Sequence, residues 1–324
     1  MNAFNDFISR SVKSAAISEP VRWFFNKFYY FTHNKSMRHN KRLWPYVKVW
    51  RNSESVIERI VVRPGNREVP LTSFEKVPRA KGKNVHLILS GPSINEIDYD
   101  QLNLPCVMGV NGAIALQQRS NITFQYYTII DASFVRNRTA LVEKIVSQDL
   151  VLFARVEVLR AITLRISPTA IKCRFVAFDE VGTPALAAKP SSKVLCDMAK
   201  RNPEWQIFDS KRYRGFSFDP RKDLFPAKTV AYDALQILVW LGFMNIYIHG
   251  LDLNNVNSVP RFYENKEDNQ SSNIDVNFAN FIEPSFRSAG QLLRERGVNV
   301  YNLSPQSALD EDVFPKRRWI ELVE

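Results

Sequence analysis

The chain has 324 residues, of which 45% are hydrophobic and 24% are charged, with 17 prolines and 11 glycines. This composition excludes intrinsic disorder, a collagen-like repeat and a small disulfide-bonded scaffold, and it suffices for one large domain or two small ones. The formal net charge of +11 suits a nucleic-acid partner only if that charge belongs to the folded body.

The positive charge is concentrated at the N-terminus. Residues 1–51 contain ten Lys and Arg residues against two acidic ones, so this segment carries +8 and the rest of the chain only +3. Basic and aromatic residues together also occur in proteins that bind single-stranded nucleic acid. Because the body is nearly neutral, we expect no nucleic-acid partner.

The same segment has the pattern of a membrane-surface helix. From residue 21 to residue 31, aromatic side chains recur at helical spacing beside basic ones. Aromatic rings lie at the headgroup level of a bilayer, while Lys and Arg attract anionic lipid. We predict that residues 1–52 form a basic-aromatic helical arm and that residues 1–51 bind an anionic membrane surface. The alternative is a helix that packs on the body through its aromatic face.

Two features predict a cytoplasmic protein that does not cross a membrane. The longest apolar run, residues 234–243, has about half the length of a spanning helix. Cys106, Cys173 and Cys196 are far apart and form no CxxC pair, which favours a reducing compartment and three buried thiols.

From residue 84 onward, short apolar runs alternate with helical stretches. The predicted strands are 85–90, 106–111, 126–131, 150–154, 246–253 and 298–303, and the clearest helices are 139–146, 229–241 and 286–296. Continuous apolar strands separated by helices indicate a parallel sheet covered on both faces. We predict an α/β Rossmann-like domain over residues 53–324, with an insertion at 156–226 and a lid at 254–275.

Polar and glycine residues follow several predicted strands, at the edge of the sheet where ligands of such folds bind. A Ser-Gly-Pro-Ser turn after the first strand is a plausible phosphate cradle, because glycine allows close approach and a helix follows. Asn111 and Asp131 follow the next two strands and could bind a base or a sugar. The predicted donor-binding residues here are Ser90, Gly91, Pro92, Ser93, Asn111, Gly112, Gly250 and Asp252. Asp131 and Asp252 could instead be ordinary helix caps.

Two further groups could contact a phosphate. Arg261 and Tyr263 in the predicted lid, with Glu264 beside them, place a fixed cation next to a phenol. Lys228 and Thr229 stand at the start of a predicted helix, where an ammonium group and backbone N–H groups could face an anion. The alternatives are a surface salt bridge and a capping threonine. His249 could be either a packed neutral histidine or an acid–base group.

We predict no metal ion and no resident cofactor. Two acidic runs, residues 98–100 and 310–312, have the composition of metal ligands, but neither follows an apolar strand. No HExxH, GxSxG, GxGxxG or Walker-type loop occurs in the chain.

The motifs resemble two related families. The stretches LILSGPS at 87–93, IYIHGLD at 246–252 and VYNLSPQS at 300–307 resemble the bacterial sialyltransferases of glycosyltransferase family 42. With VNG at 110–112 and RFYENK at 261–266, the chain is more similar to lipopolysaccharide-core Kdo transferases of the RfaZ/WaaZ type, where Kdo is 3-deoxy-D-manno-octulosonic acid. The likeness covers about residues 84–315.

The resemblance implies a metal-independent glycosyltransferase with a GT-A-variant, sialyltransferase-like fold and a CMP-activated sugar as co-substrate. The donor would be CMP-Kdo, and the acceptor a lipid-linked lipopolysaccharide core oligosaccharide at the inner face of the inner membrane. Ser304 would belong to the donor site, and Tyr263 would stand where the sialyltransferases have lid tyrosines. The sialyltransferases also use a histidine as general base between the lid and the last strand, and residues 265–298 contain none here.

The expected reaction inverts the configuration at the anomeric carbon. Arg261, Tyr263 and Lys228 would stabilise the leaving phosphate, and Asp131 would act as the base if partial burial raises its basicity, with Glu264 and Glu283 as alternatives. Other possible functions are a CMP-sialic acid-dependent sialyltransferase, a pyrophosphokinase-like nucleotide enzyme and a non-catalytic membrane adaptor.

Overall fold

The computed structural model describes residues 19–63, 65–80, 83–254, 260–264 and 273–323. The strands in this part of the chain are β1 (Val47–Arg51), β2 (Ile57–Val62), β3 (Arg67–Glu68), β4 (Asn84–Ile88), β5 (Val107–Val110), β6 (Tyr126–Ile129), β7 (Val151–Ala154), β8 (Arg174–Ala177), β9 (Trp205–Asp209), β10 (Arg214–Ser217), β11 (Asn245–His249) and β12 (Asn299–Asn302). The α-helices are α1 (Glu19–Thr32), α2 (Ala132–Asn137), α3 (Thr139–Val146), α4 (Val156–Arg165), α5 (Ser192–Lys200), α6 (Val230–Leu241), α7 (Ile274–Asn277) and α8 (Glu283–Glu295), with a π-helical turn at Phe278–Ile282. Short 3-10 helices lie at Lys35–Arg42, Phe74–Lys76, Pro92–Glu96, Tyr99–Gln101, Asn111–Gln118, Pro168–Ala170, Pro220–Lys222 and Trp319–Leu322.

A parallel sheet in the order β12-β11-β4-β5-β6-β7-β8 forms the centre of the described structure. The chain runs outward from β4 to β8 on one side and returns to β11 and β12 on the other. Strand order therefore reverses beside β4, and the loops there diverge to leave a crevice at the carboxyl ends of the strands. The predicted α/β Rossmann-like fold with helices on both faces is confirmed.

Alternating side chains of the strands enter two separate cores, one on each face. Met108 and Val110 pack with helices α6 and α8, whereas Val107 packs with α2, α3 and α4 on the opposite face. Both faces of β5, β6 and β7 are buried, which explains why these strands read as continuous apolar runs.

Helix α6 anchors the segment that precedes it. The side chain of Gln236 is fully buried, its Oε1 accepts from the backbone N–H groups of Ser217 (2.9 Å) and Phe225 (3.1 Å), and its amide donates to the carbonyl of Phe225 (2.9 Å). Residues 156–226, predicted as an insertion, supply α4, the edge strand β8, α5 and the β9–β10 hairpin. This segment is thus built into the main sheet and against α6.

The arm is half embedded in the body. Phe25 and Tyr29 of α1 are buried, and both rings contact Trp44. The opposite face of α1 leaves Trp23, Phe24, Tyr30 and Phe31 exposed. Strand β1 pairs with β2 in a small antiparallel sheet, so the last residues of the predicted arm belong to the body.

Three further predictions concern the cysteines, membrane spanning and the lid. Cys173 is buried, Cys106 half-buried and Cys196 exposed, so the expectation of three buried thiols is wrong for Cys196. In the described part of the chain, no helix is both long and apolar enough to span a bilayer. Residues 1–18 of the arm, and 255–259 and 265–272 of the predicted lid, lie outside the described residues.

Candidate functional site

A cavity of about 230 Å³ lies at the carboxyl ends of β4, β5, β6 and β11, against the first turn of α6. The predicted site residues that line it are Ser90, Gly91, Pro92, Asn111, Asp131, Lys228, Thr229, Gly250, Asp252 and Arg261. The predicted residues Ser93, Gly112, Tyr263, Glu264 and Ser304 do not line this cavity. Residues far apart in the sequence therefore converge where the fold predicts a ligand site.

Two turns cross closely at the floor of the cavity. The backbone N–H of Gly91 donates to the carbonyl of Gly250 at 3.1 Å. A Cβ atom at Gly91 would lie 2.3 Å from Oδ2 of Asp252 and 2.5 Å from the Gly250 carbonyl. Glycine at position 91 is therefore required by space, and not by its backbone angles.

The carboxylate of Asp252 holds this crossing together. Its Oδ2 accepts from the backbone N–H of Ser93 at 2.9 Å and its Oδ1 accepts from the Ser93 hydroxyl at 2.5 Å. The Ser93 hydroxyl lies 2.9 Å from that of Ser304. All three residues are buried. Ser93 and Ser304, which do not line the cavity, therefore support Asp252, which does.

Left-handed backbone conformations are concentrated around the cavity. Asn111 (φ 44°), Lys228 (φ 62°), Gly250 (φ 69°) and Leu253 (φ 58°) all line it. For residues other than glycine this conformation costs about 1 kcal/mol or more and persists only where surrounding structure imposes it. Such clustering is typical of functional sites.

Asn111 carries an unused hydrogen-bonding group at the cavity. Its backbone carbonyl accepts from the Tyr127 hydroxyl at 2.7 Å, which fixes its position. Its side-chain Oδ1 is buried and has no hydrogen-bond partner among the described residues. Because a buried amide oxygen without a partner costs about 1–3 kcal/mol, this atom is suited to accept a hydrogen bond from a ligand.

The part of the cavity formed by the start of α6 favours an anion. Helix α6 begins there, and the Thr229 side chain caps it by accepting from the backbone N–H of Ala231. Lys228 is exposed beside this turn, and its ammonium group lies 5.5 Å from the centre of the Phe281 ring. The partial positive charge of a helix N-terminus, a lysine and the nearby Arg261 together suit a phosphate or a carboxylate.

The three carboxylates considered as general base differ in their surroundings. Asp131 lines the cavity but is exposed, and it caps α2 by accepting from the backbone N–H of Ser133 at 2.7 Å. The partial burial on which its assignment depended is therefore absent. The Glu264 side chain is only 1% exposed and is held by Arg261 (3.0 Å) and Arg138 (3.4 Å).

Glu283 is paired with Arg287 at 2.5 Å and does not line the cavity. Among the three carboxylates, Asp131 is thus the one that an acceptor in the cavity could reach.

The Tyr263 ring packs directly on the backbone of Gly112. A Cβ atom at Gly112 would lie 2.0 Å from the ring, so this glycine makes room for the tyrosine. Burial raises the pKa of the Tyr263 phenol to about 12, although Arg261 acts in the opposite direction. The phenol is therefore protonated at neutral pH and could act as a hydrogen-bond donor.

His249 is a packed neutral histidine. It is fully buried, its Nε2 lies 2.9 Å from Nδ1 of His86, and its Nδ1 lies 3.3 Å from the Tyr99 hydroxyl. Burial, with a contribution from His86, holds the pKa of His249 well below its ordinary value. Of the two interpretations given to His249, the packed histidine is the one the structure supports.

A second polar cluster, which was not predicted from the sequence, lies at the same edge of the sheet. It consists of Arg155 after β7 and of Glu180 and Thr183 after β8, and hydrogen bonds join the three side chains. The rule that polar residues follow the strands of such sheets would have found Arg155, which follows the predicted strand 150–154. In the described ranges, no group of three or more His, Cys, Asp and Glu side chains is arranged to hold a metal ion.

Comparison with known proteins gives matches in sequence and in structure. Residues 185–319 match the family model described as 3-deoxy-D-manno-octulosonic acid transferase WaaZ. A probable 3-deoxy-manno-octulosonic acid transferase of Escherichia coli K12 is 26% identical over 251 residues, which cover 72% of this chain and 81% of that protein. A protein of the same description from Salmonella typhimurium LT2 is 23% identical over 253 residues, covering 75% and 89%.

A crystal structure of the sialyltransferase CST-II with a trisaccharide acceptor and CMP aligns with a TM-score of 0.40 at 15% identity, over 75% of this chain and 88% of that one. The sequence matches confirm the predicted resemblance to Kdo transferases and, with it, the predicted enzyme class of glycosyltransferase.

The buried histidine pair makes stability depend on pH. Burial lowers the pKa of His86 from 6.5 to about 4, so on acidification the unfolded chain takes up a proton before the folded protein does. The stabilisation is thus complete above about pH 6.5 and is lost as the pH falls toward 4. Between about pH 7 and pH 5, we expect wild type to lose about 2 kcal/mol more unfolding free energy than His86→Gln. Urea unfolding at both pH values measures this, and equal losses in the two proteins would contradict it.

Proposed function

We propose that this glycosyltransferase moves Kdo from CMP-Kdo to a lipopolysaccharide inner-core acceptor, with inversion of the anomeric carbon and without a metal ion. The observation that carries the proposal is the cavity itself, which is lined both by Asn111, whose Oδ1 has no partner among the described residues, and by the N-terminus of α6. The sequence similarity to Kdo transferases supports the choice of sugar.

The cavity offers a separate group for each part of such a donor. The Asn111 amide can both donate to and accept from a base or a ribose. The first turn of α6 and Lys228 can neutralise a phosphate, and Arg261 adds a second cation at the cavity wall. A preorganised hydrogen-bond donor or cation of this kind typically stabilises the negative charge that develops on the leaving phosphate by about 3 kcal/mol.

The proposed reaction is a single displacement. The bond between the anomeric carbon and the phosphate oxygen breaks, and CMP leaves with the electron pair. An acceptor hydroxyl attacks from the opposite face, forms the new glycosidic bond and gives its proton to a base. We assign that role to Asp131 because it lines the cavity, whereas Glu264 and Glu283 do not.

Replacement of Asn111 by glycine tests the donor site without straining the fold. Glycine accepts the left-handed backbone at φ 44°, so the substitution removes only the amide. We expect CMP and CMP-Kdo to bind about tenfold more weakly, as for the loss of one buried hydrogen bond, while unfolding stability is maintained. Isothermal titration with CMP, CMP-Kdo, CMP-sialic acid and magnesium-ATP measures the affinities.

The matched control is Asn66→Gly, because Asn66 has a similar backbone angle (φ 49°) and is exposed in the turn before β3. It should bind CMP as wild type does. Wild-type protein should bind CMP-Kdo more tightly than the other nucleotides and should turn it over in the presence of EDTA. NMR of the product should show inverted configuration at the anomeric carbon. Stronger binding of CMP-sialic acid than of CMP-Kdo would favour a sialyltransferase. A preference for magnesium-ATP would favour a pyrophosphokinase-like enzyme, and the absence of nucleotide binding would favour a non-catalytic adaptor.

We further propose that the exposed face of α1 holds the protein on the anionic inner face of the inner membrane, where a lipid-linked acceptor would be found. Trp23 (62% exposed) and Phe31 (79% exposed) lie on this face, while the other side of α1 is packed on the body. The Arg38 guanidinium stacks 3.9 Å from the centre of the Tyr30 ring. Apolar rings flanked by cations are suited to the headgroup region.

Polar substitution of this face tests the membrane proposal. We expect Trp23→Ser/Phe31→Ser to bind vesicles of phosphatidylethanolamine and phosphatidylglycerol at least about tenfold more weakly, because two rings no longer enter the bilayer. The control is Val276→Ser/Ile320→Ser, which removes exposed apolar side chains elsewhere. Vesicle sedimentation measures binding, and equal binding by both double variants would contradict the proposal.

A further inference from the structure

We propose that the acceptor sugar binds at the second polar cluster, formed by Arg155, Glu180 and Thr183 at the carboxyl ends of β7 and β8. The inference rests on the proposed function, since it assigns the second substrate of the same reaction. The ligand expected there is an uncharged, hydroxyl-rich face of a sugar.

The three side chains form a connected hydrogen-bonding surface. Nη1 of Arg155 lies 3.1 Å from Oε2 of Glu180, and Nη2 donates to the Thr183 hydroxyl at 2.9 Å. That hydroxyl donates to Oε2 of Glu180 at 3.0 Å. Among the described residues, the bonds to this carboxylate all go to Oε2, which leaves Oε1 to accept from a sugar hydroxyl. The side chains of Arg155 and Glu180 are 16% and 8% exposed and Thr183 is half-buried, so the cluster opens to solvent mainly through Arg155 and Thr183.

A buried and unpartnered carboxyl is influenced by the charges of the same cluster. Asp233 is 1% exposed, and neither of its side-chain oxygens has a hydrogen-bond partner in the described structure. Burial and the nearby Glu180 raise its pKa well above the ordinary value, while Arg155 acts in the opposite direction. The charges of Glu180 and Arg155 thus act on Asp233, whose unpartnered oxygens an ordered water or a ligand hydroxyl would satisfy.

The cluster lies next to the donor cavity. Val230 lines the cavity, and Asp233 follows it by three residues on α6, so both occupy one face of the helix. Along the sheet, β7 is the neighbour of β6, whose carboxyl end leads to Asp131. Adjacent strands are about 4.8 Å apart, roughly the width of one sugar ring. A sugar on the cluster could therefore place a hydroxyl near Asp131.

The charges of the cluster indicate the class of ligand. Arg155 is paired with Glu157 (3.1 Å) as well as with Glu180, and Arg51 is paired with Asp179 next to it. The guanidinium charges are thus already balanced by carboxylates. Such a surface would repel a phosphate or a carboxylate and instead suits hydroxyl groups, which can donate and accept.

The arm holds the loop that contains Thr183 through hydrogen bonds to the backbone. The backbone N–H of Ala185 donates to Oδ1 of Asp179 at 3.0 Å, two residues after Thr183. The buried Asn40 of the arm accepts from the backbone N–H of Leu186 at 2.8 Å and donates to the carbonyl of Ala187 at 3.0 Å. The loop that contains Thr183 is therefore held by the segment that follows α1 in the chain.

Thr183→Val and Glu180→Gln test the assignment in the full-length protein. The probes are CMP-Kdo and an inner-core lipopolysaccharide oligosaccharide deacylated with alkali. We expect both variants to raise the KM for the oligosaccharide at least about tenfold. The KM for CMP-Kdo, the affinity for CMP and the slow release of CMP without acceptor should each stay within about twofold of wild type.

The matched control is Asp219→Asn, because Asp219 is a buried carboxylate that also pairs with an arginine, Arg221, at 2.8 Å. It should lower thermal stability without changing the KM for the oligosaccharide. An unchanged acceptor KM in both test variants, or an equal loss of CMP affinity, would overturn the acceptor site. Failure of the proposed function would appear separately, as wild-type protein that neither binds CMP nor releases it from CMP-Kdo.

Discussion

The site depends on the close crossing of two turns, one after β4 and one after β11. At Gly91 there is no room for a single Cβ atom, because Asp252 and the Gly250 carbonyl already fill that space. The Asp252 carboxylate stabilises this crossing by accepting hydrogen bonds from the backbone N–H and the hydroxyl of Ser93. Because these turns lie where strand order reverses, their shape decides whether the crevice left by the topology becomes a site.

Helix α6 and two left-handed residues form the remaining parts of the site. The N-terminus of helix α6 lies at the cavity. Gln236, on the buried part of the same helix, holds the preceding segment through hydrogen bonds. The left-handed residues Asn111 and Lys228 both line the cavity. Packing energy from the two cores is the source that maintains these unfavourable backbone conformations. The donor cavity and the proposed acceptor site share one edge of the sheet.

The sequence was sufficient to predict the central fold because six of its strands are apolar runs long enough to recognise. It did not reveal β8, since Phe175, Val176 and Ala177 form too short a run in a proline-rich segment. Without β8, the polar residues Asp179 and Glu180 could not be placed at the sheet edge. Asn111 and Lys228 could be predicted as site residues because they lie at the ends of a recognisable strand and at the start of a recognisable helix. The hydrogen bonds between Asp252 and Ser93 and the exposure of Asp131 could not be predicted, because they depend on how distant segments pack.

A crystal structure of the protein with bound CMP would show directly whether this cavity is the donor site. We expect the phosphate within hydrogen-bonding distance of the first turn of α6 and Lys228, with the nucleoside against the Asn111 amide. Strong density for CMP elsewhere on the protein, with an unoccupied cavity between Asn111 and Lys228, would contradict it.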